Sequence, residues 1–353
     1  MAHAPLQCIL PPHILKHIAL RGNARQRAWA LETLSVSERM RGQRETFAHF
    51  TPRGAGAAAG QLQRNVYTAS NGSILPGTIA RREGQGPTGD AATDEAFDGA
   101  GATYELYYKQ YERSSFDDRG APINSTVHYG AEYNNAFWNG QQMVYGDGDG
   151  ELFQRFTIAL DVIGHELTHA VTQYEANLVY HGQSGALNES FSDVFGVLVK
   201  QFRLGQTADQ ADWLIGAGLF TDAVQGTALR SMKAPGTAYN DDVLGKDPQP
   251  AHMKDYVQTP DDNGGVHINS GIPNRAFYLA AAEIGGQAWE RAGKIWYVAL
   301  RDRLRRNASF QDCANITASV AAELYGQGSK EHTAVVKAWT TVGLAPSQGK
   351  GKK

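Results

Sequence analysis

Apolar positions along this chain follow two rhythms, and the change falls near residue 161. Over residues 64–160, short alternating runs such as NVYTA and STVHYG are punctuated by NG, DG and GDGDG. That pattern predicts short strands joined by tight turns. Beyond it, VIGHELTHAVTQYEA, LNESFSDVFGVLVKQF, residues 274–284 and KIWYVALRDRL carry apolar residues at helical spacing, so the second half reads as mainly helical. Residues 12–44 show the same spacing with plentiful Arg and Glu, which predicts one or two short helices. After them, residues 51–62, TPRGAGAAAGQL, offer a core almost nothing to grip and read as a mobile linker. There is no internal repeat and no heptad pattern.

The expected architecture is therefore α+β in two lobes. Residues 1–55 form a leader with its linker, 56–178 a sheet-rich lobe ending in the HELTH helix, 179–347 a helical lobe, and 348–353 a disordered tail. The early linker suggests a detachable leader; a helical decoration of the same domain is the alternative. A length of 353 residues exceeds what one core usually serves, which agrees with two lobes plus an appendage.

Charge and cysteine content narrow the class of function. A net charge of −3 with both signs interspersed gives no field to draw in nucleic acid or an anionic membrane surface. Only two cysteines, Cys8 and Cys313, are present, which argues against a disulfide framework. The start MAHAPLQCILPPHIL is too broken by polar residues and prolines for an export signal. No apolar stretch is long enough to span a bilayer, so a soluble protein acting as a monomer is expected, in the cytoplasm or exported by a non-standard route.

Chemistry enters at His165-Glu166-Leu167-Thr168-His169. Residues four apart on a helix lie ~6 Å along its axis on one face, so the two imidazoles can grip one ion. Hydrolytic zinc takes three protein ligands and leaves a position for water. Glu189, on the next predicted helix, is the right residue type to complete the set. Asp193, four residues on, shares its face and can accept a hydrogen bond from the outer nitrogen of a ligand histidine. Glu166 is rotated ~100° from His165 around the helix, which suits it to take a proton from water rather than to bind the ion. The pentapeptide alone arises by chance in roughly one or two such chains in a hundred. By itself it also fits a buried helix with two satisfied histidines.

The match extends further. NNAFWNGQQMVYGDGDG at 134–150, HELTHAVTQYEANLVYHGQSGALNESFSDVFG at 165–196, ALRSM at 228–232 and DNGGVHINSGI at 262–272 resemble thermolysin-like metallopeptidases in order and spacing. That resemblance, covering residues 64–346, implies a two-lobed thermolysin-like fold with the HELTH helix at the floor of a cleft between the lobes. It implies a zinc endopeptidase cutting on the N-terminal side of bulky apolar residues. It also implies roles: His267 as a second catalytic histidine, Asp262 as the carboxylate that orients it, and Tyr180 as an oxyanion donor. Asn135 and Ala136 match an edge strand that holds the substrate backbone, and Arg230 matches a cleft arginine that binds a substrate carbonyl. Phe153, Phe156, Val162, Ile215 and Leu229 fall at or near positions that line the pocket for the residue after the cut.

Two departures from that family carry expectations of their own. Lys200, Leu214 and Ala217 stand where carboxylates for a calcium pair would be, beside Asp161 and Asp212, so the paired calcium site is expected to be lost. The leader is short, and CILPPHIL with Cys8, Pro11 and Pro12 resembles protealysin-type precursors. This implies a latent form in which the leader acts as an intramolecular inhibitor and is cut away near residues 48–62. Cys8 then either approaches the zinc as a thiolate or packs as a small hydrophobe beside Ile9. The competing readings are an aminopeptidase or other HExxH hydrolase, for which no amine anchor is evident, and an inactive binding module, against which the intact set of site residues speaks.

Overall fold

In the computed structural model, which describes residues 7–47 and 61–347, the first half is organised by a six-stranded mixed sheet. Its strands are β1 (Gln7–Cys8), β2 (Arg64–Thr68), β3 (Thr78–Arg82), β4 (Ile123–Val127), β5 (Ala136–Trp138) and β6 (Met143–Tyr145), in the order β1-β5-β6-β4-β2-β3. β2 pairs with β4 and β4 with β6 in parallel, whereas β5 with β6 and β2 with β3 are antiparallel. The edge strand β1 comes from the leader and lies antiparallel on β5, with Cys8 opposite Phe137. Sequence reasoning foresaw no leader strand, because a two-residue strand has no period of its own and exists only through its partner.

Two leader helices follow, α1 (Pro12–Arg21) and α2 (Ala24–Phe47). Pro12 sits in the first turn of α1, where its missing N–H costs nothing. At 24 residues α2 is not short as expected: Ala, Arg, Gln, Glu and Leu sustain it and no proline interrupts it. Residues 51–60 of the expected linker, 51–62, and the expected tail, 348–353, lie outside the described residues.

The first lobe also holds α3 (Ala91–Tyr111), 21 residues long, within a stretch that the sequence pattern assigned to strands and turns. Its Tyr, Thr and Gly content hid Ala92, Ala96, Phe97 and Ala100, which recur at helical spacing and are buried. Asp90 caps it by accepting a 2.7 Å hydrogen bond from the Thr93 amide.

α4 (Leu160–Tyr174) carries the HELTH run and packs against α5 (Gly182–Leu204). The second half adds the short antiparallel pairs β7 (Leu214–Ile215) with β8 (Arg230–Ser231) and β9 (Asn240–Asp241) with β10 (Gly245–Lys246). It continues with α6 (Asp262–Asn269), α7 (Gly271–Ile284), α8 (Ala292–Val298), α9 (Phe310–Tyr325) and α10 (Lys330–Thr341). One contiguous apolar core runs through both halves, from Val66 and Phe97 to Phe277, Trp296 and Trp339. Among the described residues, no helix is long and apolar enough to cross a membrane.

Candidate active site

Two glycines set how close α4 and α5 come. A Cβ on Gly196 would lie 2.4 Å from the main-chain oxygen of Asp161, and one on Gly164 3.0 Å from the Cα of Gly196. Both α4 and α5 are buried over most of their length, so every polar group on them needs a partner. Most have one. His165 Nδ1 lies 2.8 Å from Asp193 Oδ1, and His169 Nδ1 lies 2.8 Å from Asn188 Oδ1 and 2.9 Å from Ser192 Oγ. With the outer nitrogens held, the inner Nε2 atoms face a common point.

Glu189 meets them there. His165 Nε2 is 3.5 Å from Glu189 Oε2 and His169 Nε2 is 3.4 Å from Glu189 Oε1. Among the described residues, His165, His169 and Glu189 form the one group of this kind able to hold a metal ion, with ligand atoms within 4.8 Å of one another. Donors about 2.0–2.1 Å from one tetrahedral ion stand roughly 3.3–3.5 Å apart, so these spacings suit zinc. The donor set, two imidazoles and a carboxylate, suits it as well. His165 Nε2 and Glu189 Oε2 are buried without a hydrogen bond, a costly state that a cation relieves.

Glu166, one residue on, is fully buried and its oxygens make no close hydrogen bond. Burial, and then the neighbouring Glu189 carboxylate, push its pKa well above the usual carboxylate range; the main-chain N–H groups of Trp138 and Ile9 oppose the shift. A carboxylate so placed is a good proton acceptor.

His267 arrives from α6 after an unusual turn. Asp262, Asn263, Gly264 and Gly265 all have left-handed backbones, with φ between 51° and 83°. A side chain at Gly265 would also meet Asn269 Nδ2 at 2.8 Å, so glycine is required twice over. The turn folds Asp262 back so that its carboxylate takes the His267 amide at 2.8 Å and faces His267 Nδ1 at 2.6 Å. Burial lowers the His267 pKa, but Asp262 and then Glu189 outweigh it and raise it to about 9. Tyr180 donates to Glu189, and its hydroxyl lies 3.2 Å from His267 Nε2.

Arg230, on β8, is buried and makes a paired contact with Asp193, at 2.8 Å from Nε and 2.7 Å from Nη2. Asn274 Nδ2 adds a 2.8 Å hydrogen bond to the same carboxylate. Burial raises the Asp193 pKa, yet Arg230 and His165 overcome it and hold the group ionised. Phe153, Phe156, Val162, Ile215 and Leu229 are all buried in the same apolar cluster as Ile9 and Leu10.

Contacts thus join His165, His169, Glu189, Asp193, Tyr180, His267, Asp262 and Arg230 in one network. Sequence reasoning missed Asn188, Ser192 and Asn274. Asn188 and Ser192 are four apart on α5, one position before Glu189 and Asp193, so helical spacing was the available signal. For Cys8, the thiol is not part of the metal-competent group. Its side chain packs with Tyr129, Tyr133, Phe137 and Val144, because a strand paired to β5 points it into that cluster.

Comparison with known proteins agrees with this geometry. Residues 45–173 match the family described as "Thermolysin metallopeptidase, catalytic domain", and residues 176–344 its alpha-helical domain. The chain is 52% identical over 355 aligned residues to an "Extracellular metalloprotease" of Pectobacterium carotovorum subsp. carotovorum, covering 99% of each. It is 42% identical to a "Thermolysin" of Alicyclobacillus acidocaldarius subsp. acidocaldarius over 79% of this chain and 50% of that one. The solved structure "Precursor of Protealysin, Metalloproteinase from Serratia proteamaculans" superposes with a TM-score of 0.88 at 52% identity, covering 96% of this chain and 100% of that one.

Proposed function

This chain belongs to the thermolysin family of metallopeptidases, and on that premise we propose that it is an endopeptidase whose zinc is held by His165, His169 and Glu189. The observation that carries the assignment is the approach of both inner imidazole nitrogens to Glu189 at 3.4–3.5 Å. Zinc, when bound there, polarises the carbonyl of the bond to be cut and brings the pKa of its water towards ~7. Glu166 takes the water's proton and passes it to the departing nitrogen. Tyr180 and His267 donate to the carbonyl oxygen as charge builds on it, and Asp262 keeps the His267 ring in place. Asn135 and Ala136 hold the peptide as an added strand and Arg230 takes a carbonyl beyond the cut. Phe153, Phe156, Val162, Ile215 and Leu229 support a pocket for Leu, Phe, Ile or Val after the cut, with broad preference, since one methylene there is worth only about 1–3 kcal/mol.

Hydrolysis of an end-blocked peptide with an internal Gly-Leu or Gly-Phe bond tests this reading. Cutting before Leu or Phe, abolished by a zinc chelator and restored by zinc, is the expected result. Activity confined to peptides with a free N-terminus would overturn it in favour of an aminopeptidase.

The leader supports a precursor held latent by its own N-terminus. Its main chain follows β5 into the site, and its helices pack beside it. His13, on α1, lies 3.0 Å from the Tyr239 hydroxyl and faces Asp262, His267, His17 and Arg230. Burial lowers its pKa to about 3, with Asp262 opposing and His267, His17 and Arg230 adding to the shift. A released His13 titrates near 6.5, so protons bind the released form preferentially. Docking is therefore at full strength above pH 6.5 and weakens as the pH falls from there towards 3, by up to about tenfold per unit. Protection of the α1 amides, after correction for the intrinsic slowing of exchange at lower pH, should fall markedly from pH 7.5 to pH 5. An equal pH effect in His13→Gln would remove His13 from the explanation.

Lys200 supports the absence of a calcium pair. Its ammonium reaches Asp161 Oδ2 at 2.7 Å, Asp212 Oδ1 at 2.9 Å and the Leu214 carbonyl at 2.9 Å. A built-in cation thus occupies the place between those carboxylates. Metal analysis returning two tightly held calcium ions per chain would contradict this.

A further inference from the structure

The leader crosses the site as an extended chain with a defined register. The Cys8 carbonyl oxygen lies 2.8 Å from His267 Nε2. The Ile9 amide donates to the Ala136 carbonyl at 3.1 Å, and the Ile9 carbonyl accepts from Arg230 Nη1 at 2.9 Å. The Leu10 amide donates to Asn135 Oδ1 at 3.0 Å.

These contacts sort by peptide unit. The carbonyl of Cys8 faces the donor that serves a developing oxyanion, and the nitrogen of the same peptide unit is held by the Ala136 carbonyl on the edge strand β5. The carbonyl and amide one step further along are taken by Arg230 and Asn135. Ile9 is fully buried at the first position after that unit and is apolar, as the proposed pocket requires.

We infer that the Cys8–Ile9 bond is a self-cleavage site: the enzyme cuts its own leader there, in the same molecule, before or apart from any cut in the linker. Water adds to the Cys8 carbonyl carbon and gives a proton to Glu166. The bond to the Ile9 nitrogen breaks as that nitrogen takes the proton from Glu166, and the remaining hydroxyl proton of the new acid passes to the same nitrogen, leaving a carboxylate on Cys8 and an ammonium on Ile9. Residues 1–8 leave as a free peptide. The remainder of the leader, from Ile9 through α1 and α2, stays docked.

This inference rests on the proposed latent form, and the experiment separates the two. Full-length chain, loaded with zinc, is followed by intact mass and N-terminal sequencing at several protein concentrations. The expected result is a chain beginning at Ile9 together with free residues 1–8, formed at a rate independent of concentration. In Glu166→Gln that rate falls about 10³-fold. Docking is read without chemistry, from hydrogen exchange at the Ile9 and Leu10 amides of zinc-loaded Glu166→Gln. Protection there, lost when Ile9→Asp is added, is expected. Protection with no cut at Cys8–Ile9 in the wild-type chain overturns the self-cleavage and leaves the latent form standing. Absence of protection overturns both, and an equal cutting rate in Glu166→Gln overturns the self-cleavage by assigning the cut to another protease.

Discussion

Glu166→Gln lowers kcat on an end-blocked peptide by about 10³-fold while zinc remains bound. The size follows from the loss of a positioned proton acceptor, which contributes about 10²–10⁴-fold. Zinc is retained because Glu166 is not one of its ligands: the metal-competent group is formed by His165, His169 and Glu189. Gln matches Glu in shape and removes an ionisable group from a site where burial and Glu189 already disfavour its charge. The fold therefore tolerates the change, and a loss of rate cannot be ascribed to unfolding. Steady-state kinetics with zinc analysis on the same sample checks it. Turnover within about tenfold of wild type, at full zinc content, would remove Glu166 from its role.

How much of this was legible in the sequence depends on the range of the interaction. His165, Glu166 and His169 announce themselves because helical spacing alone places them, and Glu189 with Asp193 follow by the same rule on the next helix. The partners that aim the imidazoles were harder. Asn188 and Ser192 lie at readable spacing, but nothing in the sequence says that α5 turns that face towards His169. That depends on the approach of Gly164 to Gly196, a contact between helices.

The leader shows the same limit more sharply. Its helical character was readable from residues 12–44, yet β1 was not, because its two residues become a strand only against β5. α3 escaped for another reason: its Tyr, Thr and Gly residues imitate strand and turn composition while Ala92, Ala96 and Ala100 supply the helical face. The left-handed turn at Asp262, Asn263, Gly264 and Gly265 was not read from the sequence, although Asp, Asn and Gly are the residues that tolerate positive φ. That Asp262 orients His267 was supplied only by the family resemblance, and the structure brings the two within 2.6 Å.

The second large effect concerns the metal itself. Glu189 contributes one of three ligands and lies on α5, apart from the two histidines on α4. Disturbing groups that merely orient such ligands typically weakens a metal site 10–100-fold, so removing a ligand weakens it by more than about 100-fold. Tyr180 loses its acceptor in the same change. Circular dichroism of the variant checks that the fold survives. The deciding measurement is zinc content per chain, at equilibrium with buffered free zinc, for wild type and Glu189→Ala. A single ion in the wild type, and nearly none in the variant at the same free zinc, is the predicted result; a variant that binds zinc as tightly as wild type would contradict a centre built by two histidines and a carboxylate from adjacent helices.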